Sequence, residues 1–79
     1  MEIKVLGPGC TKCKTLEKMV FNKLAELNID ANVEKVDDIV KIMGYGIMST
    51  PGLIINGKVV LNGRLPSDAE LSKLLTENK

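Results

Sequence analysis

An α/β fold with the element order β-α-β-α-β-β-α is predicted for this chain on three observations. A short apolar run, Ile3–Leu6, stops at the breaker cluster Gly7-Pro8-Gly9 and gives way to a helical stripe. Two apolar triplets, Leu53-Ile54-Ile55 and Val59-Val60-Leu61, flank Asn56-Gly57, a pair that tolerates the positive φ of a tight hairpin turn. Ser67, three residues before Glu70, opens a last segment in which Leu71, Leu74 and Leu75 share one helical face.

The elements follow in order. Ile3–Leu6 is a first strand. Cys13, Leu16, Val20, Leu24 and Leu27 then recur at intervals of three or four and line one face of a helix, with Lys14, Lys18, Lys23 and Glu26 mostly off that stripe and Asn28 as its end. Ala31 and Val33 alternate with Asn32 and Glu34, so a second strand runs to about Val36. Asp37 is placed to cap a short helix carrying Ile39, Val40, Ile42 and Met43, which Gly44-Tyr45-Gly46 breaks. The hairpin follows, and a final helix starts behind Ser67, whose hydroxyl and the Glu70 carboxylate each take one orphan amide. Two strands joined through a helix are expected to be parallel with a right-handed crossover, and the hairpin is antiparallel.

Seventy-nine residues are read as one domain, 1–79, near the lower size limit for a single hydrophobic core. Hydrophobic residues make up 44% of the chain, but Phe21 and Tyr45 are its only aromatics, so the core is built from Leu, Ile, Val and Met. A net charge of +1 with no basic cluster argues against a nucleic-acid partner, as does the lack of aromatics for base stacking. No stretch has the length of a membrane span, and Met1–Gly7 is too short and too charged for a signal peptide. The expectation is a cytoplasmic protein, where stable structural disulfides are rare and cysteine pairs are catalytic or metal-binding.

Cys10-Thr11-Lys12-Cys13 is the motif that carries chemistry. The stripe puts Cys13 on the buried face, while Cys10 falls at or just before the helix start, where unpaired N–H groups and the helix dipole favour an anion. Lys12 and Lys14 add positive charge, and together these hold the Cys10 thiol below its ordinary pKa. On this reading Cys10 attacks and Cys13 resolves the mixed disulfide. A purely structural disulfide is the blander reading, but closing so short a loop contributes only about 2 kcal/mol in the chain-entropy picture. Metal binding is the sharper alternative, a soft-metal carrier or sensor: two thiolates alone suit Cu(I), while a closed Zn site, in a chain with two cysteines and no histidine, needs carboxylates or a second subunit's cysteine pair. A second feature, Ser49-Thr50-Pro51-Gly52, places a proline at the entrance of a strand, where it is tolerated only at the first position. An X–Pro bond is also the one common site of a cis peptide, although an ordinary loop proline satisfies the sequence equally well.

Gly9-Cys10-Thr11-Lys12-Cys13 after the first strand, Thr50-Pro51 before the third and Gly63 after the fourth resemble the thioredoxin/glutaredoxin superfamily, closest to its short thioredoxin-like members. The resemblance spans the whole chain. It implies a minimal thioredoxin-like fold: a four-stranded mixed sheet in the order 2-1-3-4, with the first and third helices on one face and the second on the other. It implies Cys10 as nucleophile, Cys13 as resolving thiol, and Pro51 in the cis form beside the disulfide; Lys12, read from its place beside Cys10 and not from the resemblance, either tunes the thiolate or is an ordinary solvated helix charge. The Thr50 backbone would bond an extended substrate segment, and Gly63 would let that segment approach. Protein thiols and disulfides are the implied substrates of a monomer recharged by a thioredoxin-reductase-type electron donor, with no cofactor beyond the Cys10–Cys13 disulfide itself. Larger thioredoxins read Trp-Cys-Gly-Pro-Cys and carry a buried acid in the preceding strand. Here Gly9 and Lys4 stand at those positions. The Tyr and Gly-Gly that hold glutathione in glutaredoxins are also missing. Heavy-metal-associated domains share a Cys-x-x-Cys after the first strand but run β-α-β-β-α-β, so a late hairpin and a terminal helix separate them from this chain.

Overall fold

Alternation along two central strands sorts the apolar side chains into two layers. A computed structural model describes residues 1–9 and 11–78. Its elements are β1 (Glu2–Leu6), α1 (Thr11–Glu26), β2 (Asn32–Val36), α2 (Ile39–Gly44), β3 (Gly52–Ile55), β4 (Lys58–Asn62) and α3 (Asp68–Glu77). They form one sheet in the order β2-β1-β3-β4, with β1 parallel to β2 and antiparallel to β3, and β3 antiparallel to β4. The predicted element order, strand order and mixed sheet are all observed.

Ile3, Val5, Leu53 and Ile55 point to one face and join Leu16, Val20 and Leu24 of α1 and Leu71 and Leu75 of α3 in the larger core. Leu6 and Ile54 point the other way and meet Val36, Ile42 of α2 and Ile47 in a smaller one. The helices therefore divide between the faces as expected. Among the described residues no helix is long and apolar enough to cross a membrane.

Local chemistry sets the boundaries. Asn28, at φ 55°, ends α1: its N–H donates to the Ala25 carbonyl and that of Ile29 to the Leu24 carbonyl, the pairing of a left-handed helix stop. Asn56 and Gly57, at φ 50° and 82°, make the hairpin turn. The ladder then slips, with Leu53 opposite Leu61 but Ile54 opposite Val59, so Val60 is an extra residue in β4 that the sequence pattern does not announce.

Three expectations need correction. The cap of α2 is Asp38, whose carboxylate accepts the Val40 N–H at 2.9 Å; of two adjacent aspartates, backbone geometry selects the second. Only half of the reciprocal cap on α3 forms. Ser67 Oγ accepts the Glu70 N–H at 3.1 Å, but the Glu70 carboxylate turns to Arg64 in a two-pronged ion pair, one prong 2.7 Å long. Lys23, grouped with the charged residues mostly off the apolar stripe of α1, is only 4% exposed: its stem lies in the interior and its ammonium bonds Glu26 and, across to α3, Asp68. Those two carboxylates raise the Lys23 pKa above its usual value, with Asp68 the stronger.

Candidate active site

The first link is the strand register. Leu6 of β1 faces Gly52 of β3, which faces Asn62 of β4. Gly7 follows Leu6 and Pro51 precedes Gly52 at that same end of the sheet, and the Gly63 N–H donates to the Pro51 carbonyl at 2.9 Å. Three residues far apart in sequence thus lie at one end of the sheet. The Thr50–Pro51 peptide is cis, as the resemblance implies, and Pro51 is fully buried.

Cys13 joins that end from α1. It is 3% exposed, on the face it shares with Leu16 and Val20. It lies so near Gly7 that a Cβ built on that glycine would run into Cys13 Sγ and sit 2.7 Å from Cys13 Cβ. Gly7 is therefore a site residue that sequence reading missed. Its only signal was a glycine ahead of Pro8, which looks like a mere breaker. Cys10 lies outside the described residues. The first turn of α1, which begins at Thr11, holds no acid, and Lys12 and Lys14 there are both exposed. Among the described residues, that end of the helix carries positive charge and no acid, which favours an anion there.

On the far side, Gly63 has φ +81°, and a Cβ there would lie 2.6 Å from the Cβ of Ser49 in the loop before Pro51. The missing side chain thus makes room first for the chain's own loop. Ser49 is exposed and Thr50 half-buried, so the segment just before Pro51 lies at the surface. Beside Thr50 runs a groove of about 270 Å³ walled by Ile39, Ile42, Met43, Gly46, Ile47 and Met48.

Tyr45 stands apart from these residues. Its hydroxyl accepts from Lys4 Nζ at 2.9 Å, the same ammonium lies 5.1 Å from its ring centre, and Lys4 also faces Glu34 at 3.9 Å. The phenol raises the Lys4 pKa most, Glu34 less. Tyr45 is an anchor between β1 and the loop after α2. These side chains border the larger cleft, about 490 Å³, between β2 and α2, which contains none of the predicted site residues and is lined mostly by charge. Ser67 and Asp68 are taken up by the cap of α3 and by Lys23. Among the described residues no three of Cys, Asp and Glu converge as a metal-ligand group.

A family model described as a thioredoxin domain matches residues 1–76 of the chain. The chain belongs to that family. It is 37% identical over 76 residues to a thioredoxin of Methanothermobacter thermautotrophicus, covering 96% of this chain and 99% of that one. It is also 34% identical over 73 residues to a thioredoxin of Methanocaldococcus jannaschii, covering 92% and 84%. Lys4 of the first strand lies on the face away from α1 and is engaged with Tyr45.

Proposed function

We propose that this protein is a thiol–disulfide oxidoreductase that exchanges disulfides with protein cysteines through Cys10 and Cys13. The observation that carries the reading is the placement of Cys13: buried in the first turn of α1, against Gly7, at the end of the sheet where Pro51 and Gly63 pair. Family membership supports disulfide exchange in general. In the reducing direction the Cys10 thiolate attacks a substrate disulfide, one substrate sulfur leaves as thiolate, and Cys10 is held in a mixed disulfide. The Cys13 thiolate then attacks the Cys10 sulfur and expels the second substrate thiolate. Two electrons have passed to the substrate, and the pair is left as a disulfide for a dithiol donor of thioredoxin-reductase type to reduce.

The acid-free first turn of α1 and the exposed Lys12 favour the thiolate on Cys10, next to the helix start in sequence. Burial shields Cys13 from competing reagents. The backbone at Thr50, in a segment at the surface, offers an extended substrate segment its hydrogen bonds, with bare Gly63 on the other flank. The electrons are carried by the two sulfurs, so no bound cofactor enters the scheme. The reducing cytoplasm is the compartment this chemistry fits.

Trapping tests the assignment of the two sulfurs. Cys13→Ser is expected to accumulate mixed disulfides with protein targets, Cys10→Ser to accumulate none, and both to lose insulin reduction. In the wild type, alkylation by iodoacetamide at neutral pH is expected to fall first on Cys10. If Cys13 is the thiol alkylated first, the roles are reversed and the proposal fails.

A further inference from the structure

The four methionines fall into two pairs. Met1 and Met19 are half-buried and packed against the larger core. Met43 and Met48 are 62% and 90% exposed and form the lip of the apolar groove beside Thr50. Among the described residues Thr50 is the only polar side chain in the lining of that groove, whose floor is Ile42 and Ile47. An unbranched thioether suits a surface that must fit varied apolar side chains, and it is also the side chain most readily turned polar by an oxidant.

We propose that Met43 and Met48 are an oxidation site that controls the docking of protein substrates. The inference rests on the reading that an extended substrate segment lies along Thr50-Pro51. The groove is continuous with Thr50, so its occupant is an apolar side chain of that segment. Oxidation is by a peroxide. The O–O bond breaks, one oxygen is transferred to the thioether sulfur, and the other leaves as water. The sulfur loses two electrons and becomes a sulfoxide. The lip then carries a strong dipole that must be desolvated when an apolar side chain docks. Disulfide chemistry at Cys10 and Cys13 is untouched, so the protein keeps its action on small disulfides while losing grip on protein ones. A methionine sulfoxide reductase reverses the change.

The test uses the full chain, first treated with diamide to spare its thiols, then with hydrogen peroxide, then with dithiothreitol, which regenerates thiols and leaves sulfoxides. Peptide mass mapping is expected to find Met48 and Met43 oxidised ahead of Met1 and Met19. The kcat/KM for insulin is expected to fall about tenfold, mostly through KM, while reduction of hydroxyethyl disulfide changes less than about twofold. Sulfoxide reductase is expected to restore the insulin rate. A Met43→Leu/Met48→Leu variant, compared with itself before and after peroxide, is expected to change less than about twofold on insulin, since its groove stays apolar. Earlier oxidation of Met1 or Met19, an unchanged insulin rate in the oxidised wild type, or an equal peroxide loss in the double variant each overturns the proposal. Failure of the untreated protein to reduce either disulfide overturns the parent reading as well, and so is told apart from failure of the oxidation site alone.

Discussion

Two long helices lie against the face of the sheet that carries Ile3, Val5, Leu53 and Ile55, and they bury Leu16, Val20, Leu71 and Leu75 completely. The opposite face, with Leu6 and Ile54, has only the six-residue α2, which contributes one buried side chain, Ile42, and leaves Ile39, Val40 and Met43 largely in solvent. The first face also has the Lys23–Asp68 link between its helices. The second has the loop that presents Thr50-Pro51 and an open apolar groove. The contrast divides the molecule: one side holds most of the core, and the other leaves apolar surface exposed.

Core truncations offer the strongest way to break this comparison. Leu16→Ala is expected to cost about 3–4 kcal/mol and Ile42→Ala nearer 2, because the thinner layer around α2 can relax into the space. Urea denaturation midpoints measure both. Equal losses would mean that the small face stabilises the fold as much as the large one does.

Gly63→Ala is the next largest. The new methyl meets Ser49 and sits at a positive φ, so about 1–2 kcal/mol of stability is expected to go, and insulin reduction with it. Adding Ser49→Gly removes the collision but not the backbone cost, so only part of the loss should return. A full-strength Gly63→Ala protein would show that the loop before Pro51 is not held by this contact.

The smallest effect concerns Glu70 on α3. Arg64 lowers its pKa below the usual carboxylate range. A depressed carboxylate stabilises the fold above its unfolded pKa of about 4.3, and that contribution disappears as pH falls through the lower folded value. Arg64→Ala is therefore expected to unfold at lower urea than wild type at pH 6 and at the same urea near pH 2. A gap that persists in acid would mean that Arg64 acts through packing and not through the ion pair.

Features written in a few consecutive residues were legible before any coordinates. The Asn56-Gly57 turn, the Asn28 stop and the leucine stripes each depend on local backbone preference or on a single period. Strand order and the division of helices came from the resemblance and held. What could not be read depends on distant partners. Glu70 leaves its own helix cap because Arg64 is within reach, Lys23 goes inward because Asp68 meets it, and Val60 is displaced because the β3–β4 ladder slips. The apolar residues of α2 looked like core, yet one turn and a half of helix covers too little of the sheet to bury them. At the site, Pro51 and Gly63 were legible as motifs, but the reason for Gly7 lies in Cys13, which only the fold brings over it.

That closeness of Gly7 and Cys13 bears on protein engineering. A Cys-Thr-Lys-Cys segment transplanted to the start of some other helix would bring its sulfurs but not the bare glycine against the second one. Any host scaffold must supply a residue without a side chain at that spot, or the grafted motif will be pushed off its seat before it meets a substrate.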